Sequence, residues 1–154
     1  MTAIIKTLPS IDLRMSRNAM CNDKPVLLVE DDMIDTMTVK RAFKELEVNT
    51  LLVTAENSEE ALEYLEQSEV TPGLILLDLN MPIMNGVEFL NLIKSDPRLR
   101  HIPVVMLTTS NEMEDKHKCF GHSVAGYMTK PVSYPHFREM MRTIDRYWSY
   151  SQTV

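Results

Sequence analysis

From Lys24 onward, short apolar runs alternate with segments whose apolar positions recur at helical spacing. PVLLVE (25–30) reads as a strand. In MIDTMTVKRAFKELE (33–47), Val39, Ala42, Phe43 and Leu46 fall at i, i+3, i+4 and i+7, one face of a helix. TLLVTA (50–55), apolar and β-branched, predicts a second strand. Asn57 with Glu60 three residues on has the form of a capping box, opening a helix with Ala61, Leu62 and Leu65 on one side. LILLD (74–78) is the third strand, and Val87, Leu90 and Ile93 mark the helix after it, which Asp96-Pro97 ends. PVVMLT (103–108) predicts a fourth strand, a polar helix is expected over about 111–120, and VAGYMT (124–129) predicts a short fifth strand. Ser133 can cap a last helix with the stripe Phe137, Met140, Met141, Ile144 and Trp148.

Strand and helix thus alternate five times, the pattern of an α/β protein with a parallel sheet between two layers of helices. The unbroken apolar runs of the first, third and fourth strands suit strands covered on both faces. In such open sheets ligands bind beyond the carboxyl ends of the strands. Those ends carry Glu30, Asp31 and Asp32, then Asp78, then Thr108, Thr109 and Ser110, and last Lys130-Pro131. Taken singly, each has an ordinary reading as a cap, a β-branched strand residue or a solvated charge. Together they place acids, hydroxyls and one lysine on a single rim. Clustered carboxylates raise one another's pKa unless a cation joins them, and Mg²⁺ takes one or two carboxylates while keeping several waters. A carboxylate beside such an ion and a lysine can accept a phosphoryl group, because both cations stabilise charge on the transferring oxygens.

Composition narrows the function. The chain has 154 residues, suited to one domain, with a formal net charge of −6 that argues against a general nucleic-acid or membrane-surface binder. Cys21 and Cys119 form no CxxC motif and read as free thiols of a reduced, cytoplasmic protein. His101, His117, His122 and His136 lack metal-site spacing, and no apolar run approaches the length of a membrane helix. Residues 1–23 carry no clear period and are expected to form a flexible N-terminal extension, with Met15 and Met20 as alternative starts. The expected domain spans 24–150, and 151–154 form a short tail.

LLVEDD, LILLDLNMPIMNGVEFL, IPVVMLTTS and AGYMTKP resemble, in order, the signature blocks of the response-regulator receiver domain of two-component signalling. The resemblance runs from about Lys24 to Trp148 and is similar in style to the small stand-alone regulators that partner bacterial phytochrome kinases. It implies a flavodoxin-like (βα)5 fold, a doubly wound five-stranded parallel sheet of order 2-1-3-4-5. Asp78 would be the phosphoacceptor. Asp31 would bind Mg²⁺ (or Mn²⁺) directly, together with Asp78 and the backbone carbonyl of Asn80, and Glu30 would act through water; Asp32 receives no ligand role. Thr108 and Lys130 would contact the phosphoryl group, with Thr109 beside it. Tyr127 would swing inward as Thr108 moves, and the Lys130-Pro131 bond would be cis.

Three positions depart from the family's usual pattern. Asn85 stands before Gly86 where Asp is usual, Thr109 is bulkier than the common small residue, and Ser123 replaces a frequent glycine, leaving Gly121 the C-cap role. The resemblance implies a sensor histidine kinase or a histidine phosphotransfer protein as partner, and no separate substrate turnover. Only SYSQTV follows Trp148, so the expected output is a protein contact or a homodimer through the face of the 111–120 helix, the fifth strand and the last helix. Tyr147, Trp148 and Tyr150 either contribute to that face or finish the core. A degenerate receiver that is never phosphorylated is opposed by the complete set Glu30, Asp31, Asp78, Thr108 and Lys130. A phosphatase of the haloacid-dehalogenase type is opposed by Asn80, where that family has a second Asp.

Overall fold

The computed structural model describes residues 24–79, 85–109, 121 and 124–150. The extension 1–23, Asn80, Ser110, Ser123, the helix expected over 111–120 and the tail 151–154 lie outside the described residues. Strand β1 (Val26–Val29) leads into helix α1 (Met33–Glu45), β2 (Leu52–Ala55) into α2 (Ser58–Gln67), and β3 (Leu74–Asp78) is followed by α3 (Gly86–Ser95). Then come β4 (Val104–Thr108), β5 (Gly126–Thr129) and the C-terminal helix α4 (Tyr134–Tyr150). The strands form one sheet of order β2-β1-β3-β4-β5, every pair parallel, which is the flavodoxin-like receiver arrangement. No helix among the described residues is long and apolar enough to cross a membrane.

Local chemistry starts the helices where the sequence places them. Asp32 caps α1, its carboxylate accepting from the N–H groups of Ile34 and Asp35 at 2.8 and 3.2 Å. Asn57 caps α2 through the N–H of Glu60, and Asn85 caps α3 through the N–H of Glu88. Asn in place of the usual acid at position 85 therefore costs the helix nothing. Helix α1 stops two residues before the predicted end, because Leu46 caps it and Glu47 turns to φ 54°.

Alternation in the strands divides the core in two. Leu27, Val29, Ile75, Leu77, Val104 and Met106 pack under α2 and α3 with Leu65, Phe89, Leu90 and Ile93. Leu28, Leu74, Leu76, Val105 and Leu107 pack under α1 and α4 with Val39, Ala42, Phe137, Met141 and Ile144. Each fully buried aliphatic side chain contributes about 1.5–3 kcal/mol, so the all-buried strands β3 and β4 anchor the sheet. Trp148 packs against the second cluster and so finishes the core, whereas its neighbour Tyr147 is exposed.

A latch joins the far end of α1 to the start of α4. The carboxylate of Glu45 accepts from the Tyr134 hydroxyl at 2.9 Å, from Arg138 at 3.3 Å and from Arg41 at 2.9 Å. The Arg41 guanidinium also lies 3.9 Å from the centre of the Tyr134 ring.

Candidate functional site

The parallel register brings the strand ends level: Val29 lies opposite Leu77, Asp78 opposite Leu107, and Thr108 opposite Thr129. Hydrogen bonding continues one residue past β1 and β5, with the Glu30 N–H donating to the Ala55 carbonyl and the Lys130 N–H to the Thr108 carbonyl. Asp78 shares the sheet face of Leu74 and Leu76, beneath α1 and α4. Thr108 continues the alternation of Val104 and Met106 on the opposite face. Tyr127 stands in register with Met106 and packs, half-buried, against that same cluster. The two residues expected to move together thus share one side of the sheet, and the acids and Lys130 meet at the rim of the other.

Glu30, Asp78 and Thr108 are buried, and Asp31 is exposed. Glu30, Asp31 and Asp78 each place a carboxylate oxygen within 4.8 Å of the others. Three hard oxygen donors converging at that spacing fit one divalent cation. Asn80 lies outside the described residues, so its carbonyl is not placed. The acids open into a cavity of about 650 Å³ whose lining includes Met33, Ile34, Thr109 and Lys130.

Lys130 makes contacts that the sequence did not disclose. Its ammonium donates to Glu30 Oε1 at 2.5 Å and to Asp35 Oδ2 at 2.7 Å, while Asp78 Oδ1 lies 3.9 Å away. Asp35, on the first turn of α1, was not among the expected site residues. Its signal in the sequence is faint: an acid in the first turn of a helix reads as dipole compensation. The Lys130-Pro131 bond, expected to be cis, is trans, since no peptide bond among the described residues is cis. Trans is the intrinsic preference of an X–Pro bond by about 0.5–1 kcal/mol, and Lys130 reaches its acceptors without the rarer isomer.

Burial pushes the Glu30 carboxyl up to about 8, helped by its hydrogen bond to Asp78 and opposed by Lys130. The Lys130 ammonium, which burial alone would depress, is held above the usual lysine range by Asp35, Glu30 and Asp78. A stability effect follows. Between the unfolded carboxylate range and about pH 8, the metal-free folded chain keeps a proton on Glu30 that the unfolded chain has released. The folded state binds more protons, so stability falls as pH rises through that window. Glu30→Gln should lose this slope and, without metal, be more stable than the parent above pH 8 by on the order of 3 kcal/mol. Chemical denaturation in chelator at pH 5 and pH 9 measures it; parallel pH profiles for the two proteins would contradict it.

The family profile described as the response regulator receiver domain matches residues 26–142. The chain is 34% identical over 136 residues to the response regulator Rcp1 of Synechocystis, covering 85% of this chain and 92% of that one. It is 36% identical over 127 residues to a probable methanogenesis regulatory protein, FilR2, of Methanothrix harundinacea, covering 80% and 82%. Among solved structures, the phosphorylated cyanobacterial phytochrome response regulator RcpA superposes with a TM-score of 0.78 at 36% identity, over 84% of this chain and 96% of that one. The Mn²⁺-bound form of Rcp1 gives 0.76 at 34% identity, over 85% and 98%.

Proposed function

Because the chain belongs to the response-regulator receiver family of two-component signalling, we propose that it accepts a phosphoryl group from a phosphohistidine onto Asp78 and answers by changing a protein-contact face. The observation that carries this reading is the placement of Asp78: buried at the end of a central strand, clustered with Glu30 and Asp31, and facing the Lys130 ammonium. A receiver is a switch that phosphorylates itself, so no separate substrate is turned over.

In the proposed step an Asp78 oxygen attacks phosphorus in line, and the donor histidine nitrogen leaves with the electron pair of the broken P–N bond. Mg²⁺, held by Asp31, Asp78 and the Asn80 carbonyl with Glu30 acting through water, would neutralise charge on the phosphoryl oxygens. Lys130 supplies the second positive charge. Thr108 turns toward the new anion and Tyr127, on the same face, follows into the vacated space. Thr109, exposed at the mouth of the cavity, limits the approach of water. Cytoplasmic location and a sensor histidine kinase or histidine phosphotransfer protein as donor go with this reading. Phytochrome-linked relatives make a phytochrome-type kinase the leading class of donor.

The surface beside the cavity supports a protein donor. Met33, Ile34 and Met37 on α1 are 72%, 74% and 61% exposed, and Val132 just after Lys130-Pro131 is fully exposed. Apolar side chains bared around a charged pocket mark a contact site for a partner helix. Met37→Glu should lower transfer from a phosphorylated histidine kinase about tenfold. Its uptake from acetyl phosphate, which needs no docking, should stay at the parent rate; equal loss from both donors would remove the docking role.

Incubation with acetyl phosphate and Mg²⁺ followed by intact mass tests the reading as a whole. One added phosphoryl group is expected, and none when the metal is chelated. No adduct under either condition would sink the proposal.

A further inference from the structure

We propose that Asp35 is a positioning residue that holds the Lys130 ammonium off Asp78 in the resting protein, and so sets how readily the site takes a phosphoryl group. The inference rests on the reading of Asp78 as phosphoacceptor. An ammonium has three donors. Two are committed to Glu30 and Asp35 at 2.5 and 2.7 Å, and Asp78 at 3.9 Å is beyond hydrogen-bond reach. The acceptor carboxylate therefore faces a lysine whose short contacts go elsewhere.

The helix start explains why Asp35 is available. Asp32 is the cap, which makes Asp35 the third residue of α1. An acidic side chain there ordinarily reaches back to the cap N–H. Here the Asp32 N–H donates to Glu30 Oε2 at 3.3 Å, so that slot is filled from the strand end. The Asp35 carboxylate instead crosses to Lys130, 95 residues along the chain. The Lys130 backbone is tied to β4 by its N–H on the Thr108 carbonyl at 2.8 Å. Rotation of the lysine side chain alone then exchanges Asp35 for the phosphoryl oxygens. Those oxygens bring more negative charge beside the buried Lys130 than Asp78 does alone, which drives the exchange. Asp35 stabilises the resting arrangement and loses its partner in the phosphorylated one. Because its side chain is 40% exposed, solvent screens the pair and the effect is modest.

The test is a double-mutant cycle of Asp35→Asn and Lys130→Gln. It is read by the rate of phosphorylation with acetyl phosphate and by affinity for beryllofluoride, a phosphoryl mimic, both at saturating Mg²⁺. Asp35→Asn should phosphorylate about fivefold faster and bind beryllofluoride more tightly by a similar factor, as expected for one partly screened ion pair. In the Lys130→Gln background the same substitution should change neither value. An equal acceleration in both backgrounds would mean that Asp35 acts only as a negative charge repelling the donor, and would overturn the proposal. So would an unchanged or slower Asp35→Asn beside a parent that phosphorylates normally. A parent that takes no phosphoryl group would overturn this assignment and the reading of Asp78 together.

Discussion

Asp78→Asn is expected to take no phosphoryl group from acetyl phosphate and Mg²⁺, with a rate below about one thousandth of the parent's, while remaining folded. The amide fills the same space at the end of β3, so the buried strand and its pairing with β1 and β4 are kept. What is lost is the nucleophilic oxygen. Removing the charge also relieves Glu30, whose carboxyl is raised partly by Asp78. The variant should therefore melt higher than the parent in chelator, by about 1 kcal/mol of stability, and bind Mg²⁺ more weakly. Intact mass and thermal melts with and without Mg²⁺ check both halves. An adduct on the variant equal to that on the parent would move the acceptor elsewhere.

Gly86→Ala should be nearly as damaging, although residue 86 touches no phosphoryl group. A Cβ built on Gly86 would stand 2.5 Å from the Asp78 carbonyl oxygen and 2.7 Å from the Leu79 Cα, both backbone atoms with no rotamer to yield. The Gly86 N–H also donates to the Leu79 carbonyl at 2.8 Å, which clamps α3 directly onto the end of β3. Alanine favours a helix over glycine by about 1 kcal/mol, but such a clash costs up to about 3 kcal/mol, so the clash wins. Relief must come from moving the strand end that carries Asp78. A displacement near 1 Å at a reacting group costs about a hundredfold in rate. Denaturation and acetyl phosphate kinetics on one preparation measure the two effects. A variant as stable and as fast as the parent would show that the close approach is unimportant.

The acids at the strand ends were legible because a parallel strand buried on both faces has few places for a carboxylate, and LILLD ends in one. Periodicity placed the helices for the same reason: Val39, Ala42, Leu90 and Ile93 are where the core needs them, whereas Phe89, fully buried, was not on the predicted stripe and Val87, which was, is only partly buried. The need for glycine at position 86 was not legible, since Gly86 opens a helix and is required by its proximity to β3 rather than by a positive φ. The partners of Lys130 were not legible. They depend on which residue of α1 faces a loop nearly a hundred positions away, and on Glu30 filling a capping slot that Asp35 would otherwise use. The expectation of a cis bond before Pro131 came from the resemblance alone; nothing in these residues departs from the trans preference that the bond shows.

The latch of Glu45, Tyr134 and Arg41 gives the segment after β5 a mechanical character. Lys130 is fastened to β4 at one end, and four residues later Tyr134 is fastened to α1 at the other. A span tied at both ends resists swinging like a lid, although the Glu45 end is held only by exposed, solvent-screened contacts. Side-chain rotation within that frame, or a tilt of α1 and α4 together, is the cheaper way for a signal to leave the rim on this side.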